Sequence, residues 1–258
     1  TTGWQPGDGA MTTIGITGSE GLIGTALTKA LLDRGIVVRR LDLRVPIGQP
    51  GRGDVLDRES VEMLARNCDG VVHLAAVSRV IWGEHDPRLC WDTNVIGTQN
   101  VIEACIAQHR RPWLLLASSR EVYGQASSLP VSEDAPLAPL NVYGRSKVEA
   151  EQRLEAARGR GLSTAVLRFS NVYGDIQDHA DRLIPAFALA SALGETLRID
   201  GPDHLFDFTH LADTVQNVLA VIERLSQGAQ LPPIQLVTGE GTSLRQLADL
   251  AVTARYGR

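Results

Sequence analysis

Short apolar runs alternate along the chain with longer segments in which apolar residues recur at the helical period. The runs lie at Thr13 to Thr17, 36–41, 70–74, 113–117, 164–169 and 234–237, and a further strand is expected to end at Asp54-Val55. Runs rich in β-branched residues suit strands that are buried on both faces. The alternation therefore predicts an α/β fold, a doubly wound parallel sheet covered by helices, with a small C-terminal substrate lobe.

Helices are predicted between the strands. The first has Leu22, Leu27 and Leu31 on one face and Gly35 at its C-terminal cap, in agreement with a period of 3.6 residues. The other predicted helices lie near 59–67, 91–108, 143–158, 181–193, 211–225 and 244–254. This pattern divides the chain into a large domain and a lobe.

The predicted large domain spans residues 11–170, and residues 210–240 return to it. Residues 171–209 and 241–258 form the predicted substrate lobe. Residues 1–10 contain Gly and Pro and no apolar core, so they are interpreted as a tail rather than a signal peptide.

Composition excludes several classes of protein. A hydrophobic content of 43% permits a substantial core, whereas a net charge of −5 provides no basic surface for nucleic acid. No apolar run approaches the roughly 20 residues that span a bilayer. Cys68, Cys90 and Cys105 lack CxxC spacing and are interpreted as reduced structural thiols, with no metal site. We expect a cytoplasmic protein that contacts neither membrane nor nucleic acid.

A glycine-rich loop joins the first predicted strand to the first predicted helix; it reads Thr17-Gly18-Ser19-Glu20-Gly21-Leu22-Ile23-Gly24. Glycines at such a turn permit a tight bend, close approach of the backbone to a pyrophosphate, and close packing of helix on strand. The N-terminus of the helix then faces the phosphates. The loop predicts a dinucleotide-binding Rossmann domain, with cofactor contacts from Gly18, Glu20, Gly21, Leu22, Ile23 and Gly24.

A carboxylate, Asp42, follows the second predicted strand. In this position a carboxylate accepts hydrogen bonds from the ribose hydroxyls of NAD and repels the 2′-phosphate of NADP. We therefore predict NAD as the cofactor, with contacts from Asp42, Leu43 and Arg44. Because Arg40 and Arg44 lie close by, NADP stays open as an alternative.

Tyr143 and Lys147 stand four residues apart on a predicted helix, so their side chains share a face. A unit charge about 4 Å from a phenol is worth about 4 kcal/mol at an effective dielectric of about 20. One pKa unit corresponds to about 1.4 kcal/mol. We therefore expect the field of Lys147 to bring the pKa of Tyr143 from about 10 towards neutrality, which makes Tyr143 a candidate acid/base.

Several further motifs share their spacing with one enzyme family. They are Gly53-Asp54-Val55, His73-Leu74-Ala75-Ala76, Asn94-Val95-Ile96-Gly97-Thr98, Ser118-Ser119, Val122-Tyr123-Gly124 and Leu167-Arg168-Phe169-Ser170-Asn171-Val172-Tyr173-Gly174. With the glycine loop and the Tyr143/Lys147 pair, they make residues 13 to about 250 resemble the extended short-chain dehydrogenase/reductases. The similar branch contains NAD-dependent epimerases and dehydratases that act on nucleotide sugars.

The resemblance implies further cofactor contacts. Asp54 and Val55 are expected at the adenine, Asn94 near the nicotinamide ribose where it helps to order the site, and Ser170 at the border of the nicotinamide. Ligands in open parallel sheets bind beyond the carboxyl ends of the strands. The residues that follow another such strand are therefore added to the cofactor site: Leu74, Ala75 and Ala76.

The resemblance also implies substrate contacts and a partner. Ser119 is expected to bind the reacting sugar oxygen, and Asn171 to touch the diphosphate side of a nucleotide sugar. Ser78 and Leu183 complete the predicted substrate residues. Helices 91–108 and 143–158 are expected to form a homodimer interface.

Two segments depart from the family pattern. Family members usually carry an arginine for the diphosphate where this chain has Phe206, and Arg182, which stands where similar epimerases have an asparagine, is the candidate replacement. Ser119-Arg120-Glu121 resembles neither the small residues of 4-epimerases nor the Asp-Glu pair of 4,6-dehydratases. Glu121 keeps half of that pair, so it is retained as a candidate catalytic residue.

The combined interpretation is an NAD-dependent nucleotide-sugar epimerase, of 4-epimerase type. Tyr143 takes a proton from a sugar hydroxyl while hydride passes to the nicotinamide, with Ser119 polarising the carbonyl and Lys147 supporting the tyrosine. Two alternatives stay open: a dehydratase that uses Glu121, and an NAD-dependent dehydrogenase or reductase of a non-nucleotide substrate, which Phe206 favours.

Overall fold

A computed structural model describes residues 12–256, apart from residues 127 and 177 and the side chain of residue 256. The predicted tail, residues 1–10, and the last two residues of the predicted lobe lie outside the described residues.

Within the described residues, six strands form one parallel sheet. Their bounds are β1 Thr13–Thr17, β2 Val37–Leu41, β3 Gly70–His73, β4 Trp113–Ser119, β5 Thr164–Phe169 and β9 Ile234–Leu236. Their order across the sheet is β2-β1-β3-β4-β5-β9. Register pairs Ile16 of β1 with Arg40 on one side and Val72 on the other. The strand order reverses between β1 and β3, which is where such sheets bind ligands.

Helices cover both faces of the sheet. Their bounds are α1 Leu22–Leu32, α2 Arg58–Ala65, α3 Val80–His85, α4 Pro87–Trp91, α5 Gly97–Ala107, α6 Val142–Gly159, α7 Leu183–Leu193, α8 Leu211–Ser226 and α9 Leu244–Tyr256. A π-helical turn, Asp92–Ile96, joins α4 to α5, and a 3-10 turn, Arg120–Tyr123, follows β4. The doubly wound α/β prediction is confirmed.

Two apolar clusters fill the space between the sheet and its helices. Successive side chains of β4 point to opposite faces of the sheet. Leu115 packs in the cluster under α1 and α8, whereas Leu114 and Leu116 pack in the cluster under α2, α5 and α6. This is the period-2 alternation of strand side chains. Both faces of the central strands are therefore buried, as their near-continuous apolar sequences predict.

The strand expected to end at Asp54-Val55 is absent from the described structure. The segment approaches the sheet only through an isolated bridge between Asp42 and Arg52. Gly51, with φ of 93°, and the hydrogen bond from the backbone N–H of Asp57 to Asp54 O turn the chain away before a ladder forms.

Short elements after β5 form a separate patch beside the main sheet. They comprise β6 Asn171–Tyr173, β7 Leu205–Phe206, β8 Phe208–His210 and β10 Thr242–Ser243. β6 pairs with β8 in parallel, and β7 pairs with β10 antiparallel. A small cluster of its own, centred on Phe187, Leu244 and Leu247, packs α7 against α9.

Among the described residues, no helix is both long enough and apolar enough to cross a membrane.

Candidate active site

A cleft of about 490 Å³ opens at the carboxyl ends of β1, β3, β4 and β5. The predicted site residues that line it are Gly18, Gly21, Leu22, Ile23, Gly24, Leu74, Ala76, Ser78, Ser119, Glu121, Tyr143, Lys147, Ser170, Asn171, Arg182 and Leu183. One cleft thus brings together the glycine loop, the Tyr143 helix and the start of α7.

The other predicted site residues lie around this cleft and outside its lining. They are Glu20, Asp42, Leu43, Arg44, Asp54, Val55, Ala75 and Asn94. Their own contacts, rather than contacts with the cleft, therefore decide what each can do.

The glycines of the loop have the steric roles that the sequence predicts. Gly18 has φ of 71°, and a Cβ there would lie 2.6 Å from the backbone nitrogen of Ala75. A Cβ on Gly24 would lie 2.1 Å from Gly18 O, so helix and loop pack too closely for any side chain. Gly21 precedes α1 and has no side chain to cap it, which leaves the N-terminal amides facing the cleft.

Asp42 lies at the end of β2 beside the glycine loop. Its carboxylate accepts hydrogen bonds from the backbone N–H groups of Glu20 at 2.9 Å and Arg44 at 2.8 Å. The Arg44 guanidinium lies 3.3 Å from Asp42, and Arg40 lies 3.3 Å from the Glu20 carboxylate. Both cations considered for NADP are thus paired with carboxylates.

Asp54 and Val55 lie in the turn that replaces the expected strand. Asp54 accepts the backbone N–H of Leu56 at 2.9 Å, and Asn100 of α5 donates to Val55 O at 2.9 Å. These bonds hold the turn against α5, next to the end of β2. Leu43 is exposed.

Asn94 lies beneath the cleft, in the π-helical turn, and is buried. Its side-chain amide bonds both backbone groups of Val77, accepting at 2.8 Å and donating at 3.0 Å, and donates to Ser146 Oγ at 2.9 Å. The amide therefore ties the loop after β3 to α6. These contacts support the predicted role of Asn94 in ordering the site. The amide hydrogen bonds of Asn94 are made to protein groups and are not directed at the cleft.

Ser119, Tyr143 and Lys147 are buried and line the same part of the cleft. β4 ends at Ser119, whose hydroxyl accepts the backbone N–H of Glu121 at 3.2 Å. Lys147 Nζ lies 5.9 Å from the Tyr143 ring centroid and donates to Ala117 O at 2.9 Å. Sheet and helix together place a hydroxyl, a phenol and an ammonium group around one space.

The expected low pKa of Tyr143 is wrong. Burial raises the pKa of Tyr143 to about 12, although Ser119 and the charge of Arg120 act to lower it. Burial also lowers the pKa of Lys147 to about 8, against the opposing effects of Cys90 and Glu151. The ammonium lies under the ring and bonds a carbonyl, so its field does not overcome the desolvation of the phenol.

Glu121 lines the cleft beside Ser119 and is held on both sides. Asn141, the residue before α6, donates to its Oε2 at 2.8 Å, and Arg120 Nη2 lies 3.1 Å from its Oε1. The carboxylate thus connects the 3-10 turn to the N-terminus of the Tyr143 helix.

Behind Ser119, a buried polar network joins β4, β5 and α6. Ser118 Oγ donates to Glu151, and Arg168 meets the same carboxylate through Nη2 at 2.7 Å and Nε at 3.1 Å. Arg168 also donates to Tyr123 Oη at 2.6 Å. The strand end that presents Ser119 is therefore anchored from behind.

Ser170 and Asn171 form the start of the opposite wall. Both side chains donate to the carbonyl of Asp207, Asn171 at 3.2 Å. The carboxylate of Asp207 accepts the backbone N–H groups of Thr238 and Gly239. These bonds hold β6 against the turn before β8.

Arg182 stands at the N-cap of α7 and lines the cleft. Its Nη1 lies 3.1 Å and 3.2 Å from the carboxylate oxygens of Asp178. The Arg182 side chain is 30% exposed, whereas that of Asp178 is 3% exposed. Leu183 follows Arg182 and begins the helix.

Two arginines that line the cleft, Arg79 and Arg120, were not predicted as site residues from the sequence. Arg79 donates to both oxygens of Asp181 at 2.8 Å and packs over Trp82, with Cζ 5.1 Å from the ring centroid. Arg120 lies 5.6 Å from the ring centroid of Phe206. Position provided a signal for both arginines, since one follows Ser78 and the other follows Ser119. Asp181 and Phe206, which these arginines contact, are more than 80 residues away from them in the chain.

Comparison with known proteins identifies the family. The sequence matches the NAD dependent epimerase/dehydratase family over residues 14–235. The chain belongs to this family. It is 28% identical to a UDP-glucose 4-epimerase of Streptomyces lividans, over 91% of this chain and 78% of that protein. It is 32% identical to a dTDP-glucose 4,6-dehydratase of Streptomyces griseus, over 81% of this chain and 69% of that protein.

A solved structure shows the same fold. The UDP-glucose 4-epimerase of Brucella ovis, determined in complex with NAD, superposes with a TM-score of 0.83 at 28% identity and covers 92% of this chain and 81% of that chain. This epimerase/dehydratase is therefore an NAD-dependent enzyme. Its own residues fit NAD, because the glycine loop leaves no room for a Cβ at Gly18 or Gly24 and the uncapped end of α1 faces the cleft.

Proposed function

We propose that this family member is a nucleotide-sugar epimerase that inverts one carbinol of the sugar ring. The observation that carries the proposal is the convergence of Ser119, Tyr143 and Lys147 in the cleft that also contains the glycine loop. The similarity to UDP-glucose 4-epimerases supports it.

In the proposed mechanism, Tyr143 and Ser119 act on the sugar oxygen, and Lys147 acts on Tyr143. NAD held by the glycine loop and the N-terminus of α1 would supply the hydride acceptor for the carbinol carbon and the hydride donor for its return. Tyr143 accepts the hydroxyl proton, and Ser119 donates a hydrogen bond to the same oxygen. Burial raises the pKa of Tyr143 to about 12, so the phenolate that receives the proton is a minor form, which Ser119 and Arg120 favour and the charge of Glu121 opposes. Lys147 supplies positive charge beneath the ring.

The proposed nucleotide site lies at the N-terminus of α7. Arg182 precedes this helix, whose first residues, Leu183 and Ile184, line the cleft. A helix N-terminus and a guanidinium both favour phosphate oxygens. Asn171 lies on the neighbouring strand and Ser78 on the loop after β3, so both are proposed substrate contacts.

The separate cluster around Phe187 supports a substrate lobe built from residues 171–209 and 241–258.

We also propose a homodimer through helices 91–108 and 143–158, since Trp91 and Ile96 at the start of that surface are about 40% exposed. Light scattering after gel filtration tests it, because a monomer at micromolar concentration contradicts the dimer. A cytoplasmic location remains a prediction from the sequence.

Glu121 keeps a dehydratase as the second candidate, supported by the position of its carboxylate in the cleft and by the dTDP-glucose 4,6-dehydratase relative. A base in this position can remove a proton from the keto sugar that precedes loss of water. The ion pair with Arg120 and the bond from Asn141 hold the carboxylate to the protein. This restraint favours the epimerase.

One experiment separates the candidates. The protein is incubated with NAD and a panel of UDP-, dTDP- and GDP-linked sugars, and products are followed by mass spectrometry and NMR. Epimerisation leaves the mass unchanged and inverts one ring carbon. A product lighter by one water identifies a dehydratase, and NADH formed in proportion to an oxidised sugar identifies a dehydrogenase. Turnover of non-nucleotide substrates alone rejects the nucleotide-sugar proposal.

A further inference from the structure

Arg120 lies at the reacting end of the cleft, directly after Ser119. Its guanidinium carbon is 5.6 Å from the ring centroid of Phe206, and its Nη2 is 3.1 Å from Glu121 Oε1. The side chain is 40% exposed. A guanidinium in this position can recognise an anionic group of the substrate in addition to its effect on Tyr143.

The position of Arg120 indicates which part of the substrate it meets. It adjoins Ser119 in sequence and lines the same cleft as Ser119 and Tyr143, and its charge acts to lower the pKa of that phenol, which burial raises. An anion bound to Arg120 therefore lies next to the carbinol that reacts, whereas the proposed diphosphate contact, Arg182, belongs to another element of the wall.

The geometry of a hexopyranose ring indicates which substituent of the sugar lies next to Arg120. In a 4-epimerisation the reacting carbon, C4, adjoins C5, which carries C6. The diphosphate is attached to C1, on the opposite side of the ring from C4. A cation beside the C4 hydroxyl therefore meets a substituent on C5 more readily than a phosphate on C1.

The packing of Arg120 prepares it for a carboxylate. A guanidinium has five N–H donors in a planar fork that matches a carboxylate with two parallel hydrogen bonds. Phe206 supports the guanidinium, and Glu121, itself held by Asn141, approaches Nη2. Glu121 already pairs with Nη2, so a substrate carboxylate would bind the remaining donors of the fork; a neutral hydroxymethyl group at C6 cannot match two of these donors with parallel charge-assisted hydrogen bonds.

We infer that the substrate is a nucleotide uronate, a nucleotide sugar whose C6 is a carboxylate, and that Arg120 is its specificity-determining residue. Phe206 orients the guanidinium, which explains an aromatic ring where the family pattern has an arginine. This inference rests on the proposed epimerase function and adds the charge of the reacting sugar.

The test begins with the nucleotide. Calorimetry with NAD-loaded protein identifies which of UDP, dTDP and GDP binds, and the glucose and glucuronate forms of that nucleotide are then compared by kcat/KM. Wild-type protein is expected to prefer the uronate by about 10- to 150-fold, the range for hydrogen bonds between charged groups. Arg120→Met, which keeps the length of the side chain without its charge, is expected to lower this uronate-to-hexose ratio by a similar factor.

Matched variants make the result specific. Arg198→Met removes an arginine whose side chain is 86% exposed and that lies outside the cleft lining, so the ratio should stay at the wild-type value. Arg120→Lys should recover part of the preference, because the charge returns without the fork. Circular dichroism and NAD affinity confirm that each variant is folded.

Three outcomes contradict the inference. A wild-type preference for the neutral hexose contradicts it while leaving the epimerase proposal intact. Equal loss of both activities and of free nucleotide binding in Arg120→Met assigns Arg120 to the diphosphate instead. Failure of the wild-type protein to bind any nucleotide or to convert either sugar rejects the proposed function, and the inference with it.

Discussion

The cleft has two walls that hold their polar groups in different ways. The sheet wall consists of residues 18–24, 74–76 and 143–147, and its groups are fixed by backbone atoms and buried partners. The lobe wall consists of residues 169–173 and 178–185, and its charged groups Asp178, Asp181 and Arg182 are held by side-chain ion pairs.

The difference is clearest for the cations. Lys147 in the sheet wall bonds the carbonyl of Ala117 and is buried. Arg182 in the lobe wall is paired with Asp178, and Asp181 of that wall is paired with Arg79. A carbonyl within the sheet is fixed by the ladder, whereas a side-chain carboxylate can yield a cation to a phosphate. The sheet wall is therefore arranged before ligands bind, and the lobe wall is arranged to exchange partners with an anionic substrate.

The strongest test of the sheet wall is Tyr143→Phe. Loss of the phenol should lower kcat by about 100- to 10,000-fold, the range for a missing general acid/base, with NAD affinity nearly unchanged. Steady-state kinetics with the identified sugar and NAD titration measure the two effects. Turnover within a few-fold of wild type contradicts the role of Tyr143.

The ion pair behind the sheet wall should contribute more to the free energy of unfolding than the ion pair at the lobe wall. Arg168→Met leaves the buried Glu151 carboxylate without its ion pair and should cost about 3–5 kcal/mol of unfolding free energy. Asp181→Asn removes the pair that Asp181 of the lobe wall forms with Arg79; because the Asp181 side chain is 69% exposed, the free energy of unfolding should change little. Urea unfolding measures both changes, and equal losses contradict the comparison.

The double variant Arg168→Met/Glu151→Leu is the control for the buried pair. It removes both charges, so it should recover much of the stability lost in the single variant.

Arg182→Met tests whether Arg182 of the lobe wall exchanges its pairing with Asp178 for a bond to the diphosphate of the substrate. Loss of its charged hydrogen bonds should weaken binding of the free nucleoside diphosphate by about 1.5–3 kcal/mol and leave NAD affinity unchanged. Calorimetry with NAD-loaded protein provides both numbers. Asp178→Asn is the matched variant: it releases Arg182 from its pair and should strengthen diphosphate binding. Unchanged binding in both variants removes Arg182 from the site.

Acid should act on the sheet wall through His73, which lies beneath it. Burial lowers the pKa of His73 from 6.5 to about 3, and its ring nitrogens lie 2.6 Å from Thr17 Oγ1 and 3.0 Å from Thr98 Oγ1. Below pH 6.5 the unfolded chain takes up a proton that the folded chain refuses until about pH 3. Stability is therefore lost as the pH falls through this window.

Between pH 7 and pH 5 the loss should be about 2 kcal/mol. The measurement is urea unfolding of wild type and His73→Gln at both values; the variant lacks this contribution, so its stability should fall less. The same pH dependence in both proteins contradicts the assignment.

The sequence alone identified the fold class, the family resemblance and the sheet wall. These follow from local information. Buried parallel strands are continuous apolar runs, and a backbone φ of 71° at position 18 favours the glycine found there. Residues 143 and 147 share a helix face because they are four residues apart. The expected strand at Asp54-Val55 was wrong because a turn, not a ladder, satisfies that backbone.

Only the tertiary structure determined the pKa shift of Tyr143 and the partners of the charged residues around the cleft. The sign of the shift in the pKa of Tyr143 depends on how fully the phenol is desolvated, which burial determines and spacing along a helix does not. The partners of Arg79 and Arg120, namely Asp181 and Phe206, stand far from them in the chain and meet them only when the lobe folds over the sheet. Local patterns specify which groups face a site, whereas the field in that site is a sum over everything packed around it.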